Sequence, residues 1–173
     1  NLDGLVAAAR AGLPVIAHEK GFRRVGPPER VMSRWVDACV GMTEEVTDHY
    51  RARHVRAKRF RTIYDGIDTT QFQSGGGAAI RREFGIPDDV PVVGIVGHIQ
   101  DWKGQALVAE AVAQVRRRVP DVHCLIVGGV HRFGLEYGEA LKRRVAQPDL
   151  AGHVHLTGAR RDVAACLDAM DIA

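Results

Sequence analysis

Short apolar runs alternate with longer helical patterns along the whole chain. In the second half, a near-continuous apolar run at 90–97 and a further predicted strand at 122–129 are each followed by a helical pattern, at 104–119 and 135–147. An apolar run without polar alternation is typical of a parallel strand that is covered on both faces. Parallel strands that are joined by helices form a doubly wound sheet. We therefore predict an α/β fold.

The remaining segments continue the same order. Helices are predicted at 2–12, 28–36 and 43–52, and strands at 14–18, 37–42 and 60–65, of which 14–18 is expected to be buried. Thr43 precedes two glutamates and is expected to cap its helix. After a glycine-rich break at 74–79, we predict a short helix at 80–85, a strand at 153–158, a helix at 161–170 and the start of a strand at 171–173.

Two expectations about burial follow from the apolar residues. Trp35 is expected to lie in a core, whereas Trp102, in a loop, either lines a cleft or covers the start of a helix. In the helix predicted at 104–119, one apolar face is expected to face the core. Its members are Ala106, Leu107, Ala111, Val112 and Val115.

The composition limits the classes of partner and site. Hydrophobic residues make up 46% of the chain, which is sufficient for a packed core, and a net charge of +3 is too small to indicate nucleic acid. Cys39, Cys124 and Cys166 lie in apolar runs without zinc-ligand spacing, so we predict buried, reduced thiols of a cytosolic protein and no metal site. No apolar run reaches the length of about 18 residues that a membrane-spanning helix needs.

Three predicted strands end in glycine-bearing turns. Ligands of parallel sheets bind at the carboxyl ends of the strands, and glycine lets the backbone approach a phosphate closely. Lys103 precedes Gly104 at the start of a helix, where its ammonium group is suited to a diphosphate. The pattern fits phosphate binding and ordinary tight turns equally well, and it matches neither a Walker A loop nor GxGxxG. The glycines are Gly94, Gly97, Gly128, Gly129 and Gly158.

Six blocks in order resemble the family-4 retaining glycosyltransferases. They read PVIAHEKG, SRWVDACVGMTEEVTDHY, TIYDGIDTTQF, VVGIVGHIQDWKGQALVAEAVAQV, HCLIVGG and HVHLTGARRDVAACLDAMDIA, and together they cover nearly the whole chain. The resemblance implies a GT-B fold of two Rossmann-like parallel-sheet halves. Residues 1–73 are then the C-terminal part of the acceptor-side domain with the interdomain link, and residues 78–173 the donor-nucleotide-binding domain, incomplete at its C-terminus.

The resemblance also implies a fragment that is truncated at both ends. The glycine-rich loop of the family's acceptor domain is expected before Asn1, and its Glu-x7-Glu segment after Ala173. The chain alone is therefore expected to be inactive.

The resemblance assigns two groups of site residues. His18 and Lys103 are the expected catalytic residues. His18 matches a histidine near the transferred sugar, the interpretation we favour; the alternative is a strand-end histidine bonded to backbone. His98 stands where the family has arginine. Arg160 lies in a turn that contacts the nucleobase in the family, or else belongs to a charged helix start. The expected donor-binding residues are Gly97, His98, Lys103, Gly104, Gly129, Gly158, Ala159 and Arg160.

The implied activity is transfer of a hexose from a nucleoside diphosphate sugar to an acceptor hydroxyl with retention. The donor is a substrate, and no cofactor is expected; the acceptor is a glycan or a lipid-linked glycan. The basic run at 51–61 either contacts anionic lipid at the inner face of the membrane or is a solvated helix end, the interpretation we favour. Rival functions are a UDP-sugar 2-epimerase and a non-catalytic nucleotide-sugar-binding module, the latter favoured by His98.

Overall fold

Two separate parallel sheets organise the chain. The computed structural model describes residues 2–73 and 75–173. Contacts divide the chain into a first unit, Asn1–Ile67, and a second unit, Asp68–Ala173. The described residues of the predicted break at 74–79 thus belong to the second unit, while Ser74 lies outside the described residues. The assignment of the two parts to acceptor and donor stays a prediction.

The first unit is a three-stranded parallel sheet with the strand order β1-β2-β3. Its strands are β1 (Ile16–Glu19), β2 (Ala38–Gly41) and β3 (Arg59–Thr62). Its helices are α1 (Leu2–Arg10), α2 (Pro27–Met32), which continues into a 3-10 turn (Ser33–Trp35), and α3 (Glu44–Ala52).

The start of α3 confirms the predicted cap. The hydroxyl of Thr43 accepts a hydrogen bond from the amide of Val46 at 3.3 Å. This bond satisfies one of the amides that have no partner in the first turn of a helix. The inner face of α3 then packs Val46 and Tyr50 against Cys39 of β2, and the Tyr50 hydroxyl donates to the carbonyl of Gly21 at 3.0 Å.

Two predictions about burial in the first unit are wrong. The strand at 14–18 is not buried, because β1 is an edge strand whose side chains alternate and Ile16 is 70% exposed. Trp35 is 38% exposed rather than part of a core. It lies in a surface 3-10 turn, where the Arg34 guanidinium is 4.9 Å from the ring centroid.

The second unit contains a parallel sheet with the strand order β4-β5-β6. Its strands are β4 (Val92–Val96), β5 (His123–Val127) and β6 (Val154–Gly158), and its helices are α4 (Gly77–Glu83), α5 (Gln105–Val115), α6 (Leu135–Val145) and α7 (Val163–Asp168). Ile172 forms a parallel bridge with Val93. The strand predicted to begin at 171–173 therefore lies beside β4.

Strand β5 is the centre of the second unit. All five of its residues are buried, because separate apolar clusters cover the two faces of the sheet. One cluster includes Ala109 of α5 and Leu141 of α6; the other includes Ile80 of α4 and Cys166 of α7. Cover on both faces is predicted for the run at 90–97. Strand β4 has this cover only in part, since Val92 is buried but Val96 is 40% exposed.

Helix α5 buries a different face from the one predicted. Gln105, Ala109 and Val112 are its buried residues. Leu107 is 74% exposed and Val115 is 45% exposed, and Ala111 is exposed as well, so the predicted face is wrong at these three positions. Apolar residues occur around most of this helix, and only the tertiary packing decides which of them face the sheet.

The cysteines are confirmed as buried, free thiols. Cys39, Cys124 and Cys166 form no disulfide. Burial raises the pKa of Cys39 to about 11 and that of Cys124 to about 12. Across residues 2–73 and 75–173, the helices are all too short or too polar to cross a lipid bilayer.

Candidate functional site

The three glycine turns of the second unit interlock at the carboxyl ends of its strands. The amide of Gly97 donates to the carbonyl of Val127 at 2.9 Å, and the amide of Gly128 donates to the carbonyl of Gly158 at 3.0 Å. Gly128 has a φ of 149°, and a methyl group on it would overlap the carbonyl oxygen of Gly97. Glycine at this position therefore lets two turns meet backbone to backbone.

Lys103 lies over the first of these turns. Its side chain passes 3.9 Å from the position that a Cβ atom on Gly97 would occupy. Its ammonium group is 4.2 Å from the ring centroid of Trp102, which is 70% exposed. Gly104 has a left-handed backbone conformation, with a φ of 79°, and separates the 3-10 turn Asp101–Lys103 from α5. An exposed cation thus lies next to a glycine turn and to the amino end of an 11-residue helix, an arrangement suited to an anion.

His98 has an exposed side chain on a fixed backbone. Its carbonyl accepts a hydrogen bond at 2.9 Å from the side-chain amide of Gln105, which is fully buried in α5. Its ring meets that of His131 edge to face, with the centroids 5.7 Å apart. The turn after β4 and the turn after β5 therefore bring two imidazoles together.

Gly129 and Ala159 also lie at this edge. A Cβ atom on Gly129 would be 3.3 Å from the Cβ atom of Ala159, so a larger residue at 129 would press on the turn after β6. Gly158, with a φ of 72°, opens that turn. Seven of the eight predicted donor-binding residues thus lie in these turns or directly after them, at one edge of the sheet. The eighth is Arg160.

Arg160 is turned toward carboxylates of its own unit. Its guanidinium donates to both oxygens of Glu83 in α4 and to both oxygens of Asp162. These bonds lower the pKa of both carboxyl groups. The side chain of Arg160 is only 16% exposed. This geometry favours the charged helix start over a contact with a nucleobase.

His18 lies in the first unit, on the exposed face of β1. It borders a cavity of about 490 Å³ within that unit. Within the described residues, no hydrogen bond joins its ring to the backbone, which disfavours the simple strand-end role. The neighbouring Glu19 faces the other side of the strand and forms two bonds with Arg23, at 3.1 and 3.3 Å. His18 is therefore an exposed imidazole without a hydrogen bond among the described residues, in a strand that lines the cavity.

Comparison with known proteins identifies the family. Residues 90–173 match the family described as glycosyl transferases group 1. The D-inositol 3-phosphate glycosyltransferase of Mycobacteroides abscessus is 32% identical over 137 residues, which are 79% of this chain and 30% of that protein. The chain belongs to the group 1 glycosyltransferases. The enzyme of the same name from Nocardia farcinica is 34% identical over 98 residues, which are 56% of this chain and 22% of that protein.

Solved structures confirm the GT-B type of fold for this glycosyltransferase chain. HepE of Anabaena, solved in complex with UDP and glucose, matches 97% of this chain with a TM-score of 0.80 and 22% identity, over 47% of its own length. A glycosyltransferase from Rickettsia africae matches 96% of the chain with a TM-score of 0.75 and 14% identity. The chain thus spans about half the length of these structures and a third or less of the curated relatives named above.

Two residues of this candidate site escape the sequence analysis. Gln105 is a polar residue in an otherwise apolar helix start, which is a signal of a buried hydrogen bond. Its Oε1 is the buried side-chain polar atom without a partner among the residues that the structure describes. His131 follows the glycine pair of the second turn by two positions, as His98 follows Gly97 by one. In the same described residues, no three histidine, cysteine, aspartate or glutamate side chains are grouped to hold a metal ion.

Proposed function

We propose that the second unit binds the diphosphate of a nucleotide sugar at the glycine turns that follow β4, β5 and β6. The observation that carries the proposal is the position of Lys103, an exposed cation that lies over Gly97 beside the amino end of α5. Backbone amides of the turns and the helix dipole favour an anion at this edge. Membership of the group 1 glycosyltransferases and the UDP and UDP-glucose bound by HepE support the choice of a nucleotide sugar.

The proposed reaction is transfer of a hexose from that donor to an acceptor hydroxyl, with retention at the anomeric carbon. The main contribution to its activation free energy is the negative charge that develops on the leaving diphosphate. Lys103, His98 and the amino end of α5 stabilise that charge in the role that a divalent cation has in other enzymes. Trp102 holds the Lys103 ammonium by a cation–π contact of 4.2 Å in the free chain, so donor binding exchanges an aromatic face for phosphate oxygens.

His18 and the first unit are proposed to serve the acceptor side. The imidazole is exposed, has no hydrogen-bond partner among the described residues, and has the size and chemistry to contact a sugar hydroxyl. The acceptor class that we propose is a glycan or lipid-linked glycan, in the cytoplasm, where buried free thiols stay reduced.

The solvated helix end stays the favoured interpretation of the basic run at 51–61, and a contact with anionic lipid is proposed as its alternative. Arg51 forms an ion pair with Asp48 and Lys58 with Asp37, while Arg53, Arg56, Arg59 and Arg61 are exposed without a carboxylate partner among the described residues. These four remaining charges are worth about 1 kcal/mol each near an anionic surface. Sedimentation with vesicles of anionic and of neutral lipid tests this contact, and equal binding to both contradicts it.

The experiment for the donor site is a saturation-transfer NMR screen of the chain against UDP, GDP, ADP and NAD, repeated with Lys103→Ala. Binding of one nucleoside diphosphate that the variant loses supports the proposal and identifies the base. Equal binding by both proteins would show that Lys103 does not contact the diphosphate. Arg161→Ala removes an exposed cation from the same unit and serves as the matched control.

A second candidate is a nucleotide-sugar-binding module without transfer activity. The specific observation in its favour is His98, which offers an imidazole where the resemblance leads one to expect a guanidinium. Release of labelled sugar onto an acceptor by the complete protein separates the two candidates, because the module binds the donor and leaves it intact.

A further inference from the structure

The turn after β5 contains His131, a histidine to which the sequence analysis gives no role. His131 follows Gly128, Gly129 and Val130, while His98 follows Gly97 in the neighbouring turn. β4 and β5 are parallel neighbours with Val96 opposite Val127, so both turns open on the same edge of the sheet.

Backbone pairing continues past the two strands and positions both histidines. Ile99 and Val130 form a parallel bridge beyond the ends of β4 and β5. The amide of Ile99 donates to the carbonyl of Gly129 at 2.9 Å, and the amide of His131 donates to the carbonyl of Ile99 at 3.2 Å. The rings consequently meet with their centroids 5.7 Å apart and their planes at 61°.

A buried side chain holds the His98 backbone in this position. The amide nitrogen of Gln105 donates to the carbonyl of His98 at 2.9 Å, and Gln105 is completely buried. The His98 side chain projects to solvent from this anchored backbone, and its ring has no hydrogen-bond partner among the described residues. The ring is therefore available to a ligand without the loss of an existing bond.

A hydrogen bond to the ring of His131 determines which of its two ring nitrogens carries the proton and can donate. The amide of Phe133 donates to Nδ1 of His131 at 3.3 Å. Because Nδ1 acts as the acceptor, the proton of the neutral ring lies on Nε2, which has no partner among the described residues. His131 thus presents one N–H donor beside the ring of His98.

We propose that His131 is a second ligand of the donor diphosphate, so that His98 and His131 bind it as a pair of imidazoles. This inference rests on the diphosphate site proposed above and adds a residue to it. His131 donates from Nε2 as a neutral ring, because its Nδ1 accepts the Phe133 amide. An anion next to an imidazole favours the protonated ring, so donor binding is coupled to proton uptake by His98, whose ring nitrogens have no hydrogen-bond partner among the described residues. The ionisable groups on the segments around the rings are Asp101, Lys103, Arg132 and, in the first turn of α6, Glu136.

The test uses sugar nucleotides, because their diphosphate does not titrate near neutral pH. Dissociation constants for UDP-glucose, GDP-mannose and ADP-glucose are measured by calorimetry at pH 6.0, 7.0 and 8.0. The variants are His98→Gln, His131→Gln and Lys103→Ala, and the control is His54→Asn, an exposed histidine of the first unit with a φ of 59° that asparagine tolerates. Thermal unfolding shows that each variant is folded.

The expected result is that affinity for one sugar nucleotide rises about fivefold from pH 8.0 to pH 6.0. His131→Gln is expected to weaken binding about five- to tenfold at all three pH values, whereas His98→Gln also flattens the pH dependence. In the wild-type chain, the Nε2–H signal of His131 is expected to shift when the donor is added at pH 7.0. A residue that only packs the turn would leave this signal unchanged.

Two results overturn the inference in different ways. If Lys103→Ala abolishes binding while His131→Gln keeps both the affinity and its pH dependence, His131 is not a ligand and the donor site stands. If the folded wild-type chain binds none of the three sugar nucleotides, the proposed donor site is contradicted, and so is the proposed role of His131.

Discussion

The backbone of Gly128 lies against the carbonyl group of Gly97, with no room for a side chain between them. Gly128 is the first residue after β5 and Gly97 the first after β4, so this contact joins the two turns that form the candidate diphosphate site. The turn after β6 is tied to the same point by the bond from Gly128 to Gly158.

Substitution at this contact is expected to damage the site and the fold together. Gly128→Ala forces a methyl group onto a backbone carbonyl and a β-carbon into a φ of 149°, so we expect a loss of about 2–4 kcal/mol in the free energy of unfolding. Gly85→Ala is the matched control, since Gly85 has a φ of 65° but open space around it, and about 1 kcal/mol is expected. Urea unfolding compares the two, and equal losses would contradict the contact.

The carboxylate contacts of Arg160 predict a variant that loses stability more than donor affinity. Arg160→Gln leaves Glu83 and Asp162 without their cation, and we expect a measurable destabilisation. Arg161→Gln, at an exposed position, is expected to change stability by less than about 0.5 kcal/mol. Nucleotide titration of both variants is the second measurement. A large loss of affinity with unchanged stability would instead support the role of Arg160 at the nucleobase.

A cluster of histidines at the amino ends of β5 and β6 predicts sensitivity of the second unit to acid. Nδ1 of His123 lies 3.0 Å from Nε2 of His155, and the His153 ring is 4.7 Å from that of His123. Burial, and then the neighbouring His123 and His153, lower the pKa of His155 to about 4, and burial also lowers the pKa of His123. A free histidine has a pKa of about 6.5, so the unfolded chain binds protons that the folded one does not.

Stability is therefore expected to be complete above about pH 6.5 and to fall as the pH drops from there toward 4, by about 1–2 kcal/mol. Urea unfolding at pH 7.5 and 5.5, followed by Trp102 fluorescence in a Trp35→Phe background, measures this loss. His155→Gln is expected to have a flatter profile than the parent, whereas His54→Asn in the first unit keeps the parental slope. An unchanged slope in His155→Gln would exclude the cluster as the cause.

The three thiols are expected to resist alkylation in the folded chain. Burial is the main cause of the raised pKa of Cys39, Cys124 and Cys166, so few thiolates exist at pH 8. Reaction with iodoacetamide is expected to be slow in buffer and fast in urea, as read by mass spectrometry. Arg161→Cys provides an exposed reference thiol within the same chain. Rapid labelling of Cys124 in buffer would mean that the centre of the sheet opens readily.

Much of the candidate site could be inferred from local patterns. Gly97 and Gly158 stand at the ends of predicted strands, and Lys103 and Gly104 stand at the start of the helix that follows the first of them. The carboxyl ends of parallel strands share one edge of the sheet. By contrast, nothing near Arg160 in the sequence indicates Glu83, which lies 77 positions away. The meeting of His98 and His131 likewise depends on the register of β4 with β5, which no local pattern contains.

The sequence by itself determined the order of elements, the α/β class and the cap at Thr43, because these depend on the spacing of apolar residues and on bonds between close neighbours. Only the tertiary structure decided that Leu107 faces solvent while Gln105 is buried, and that Trp35 lies at the surface. These outcomes depend on which residues from distant segments occupy the space around each side chain, since an apolar residue is buried only where another element covers it.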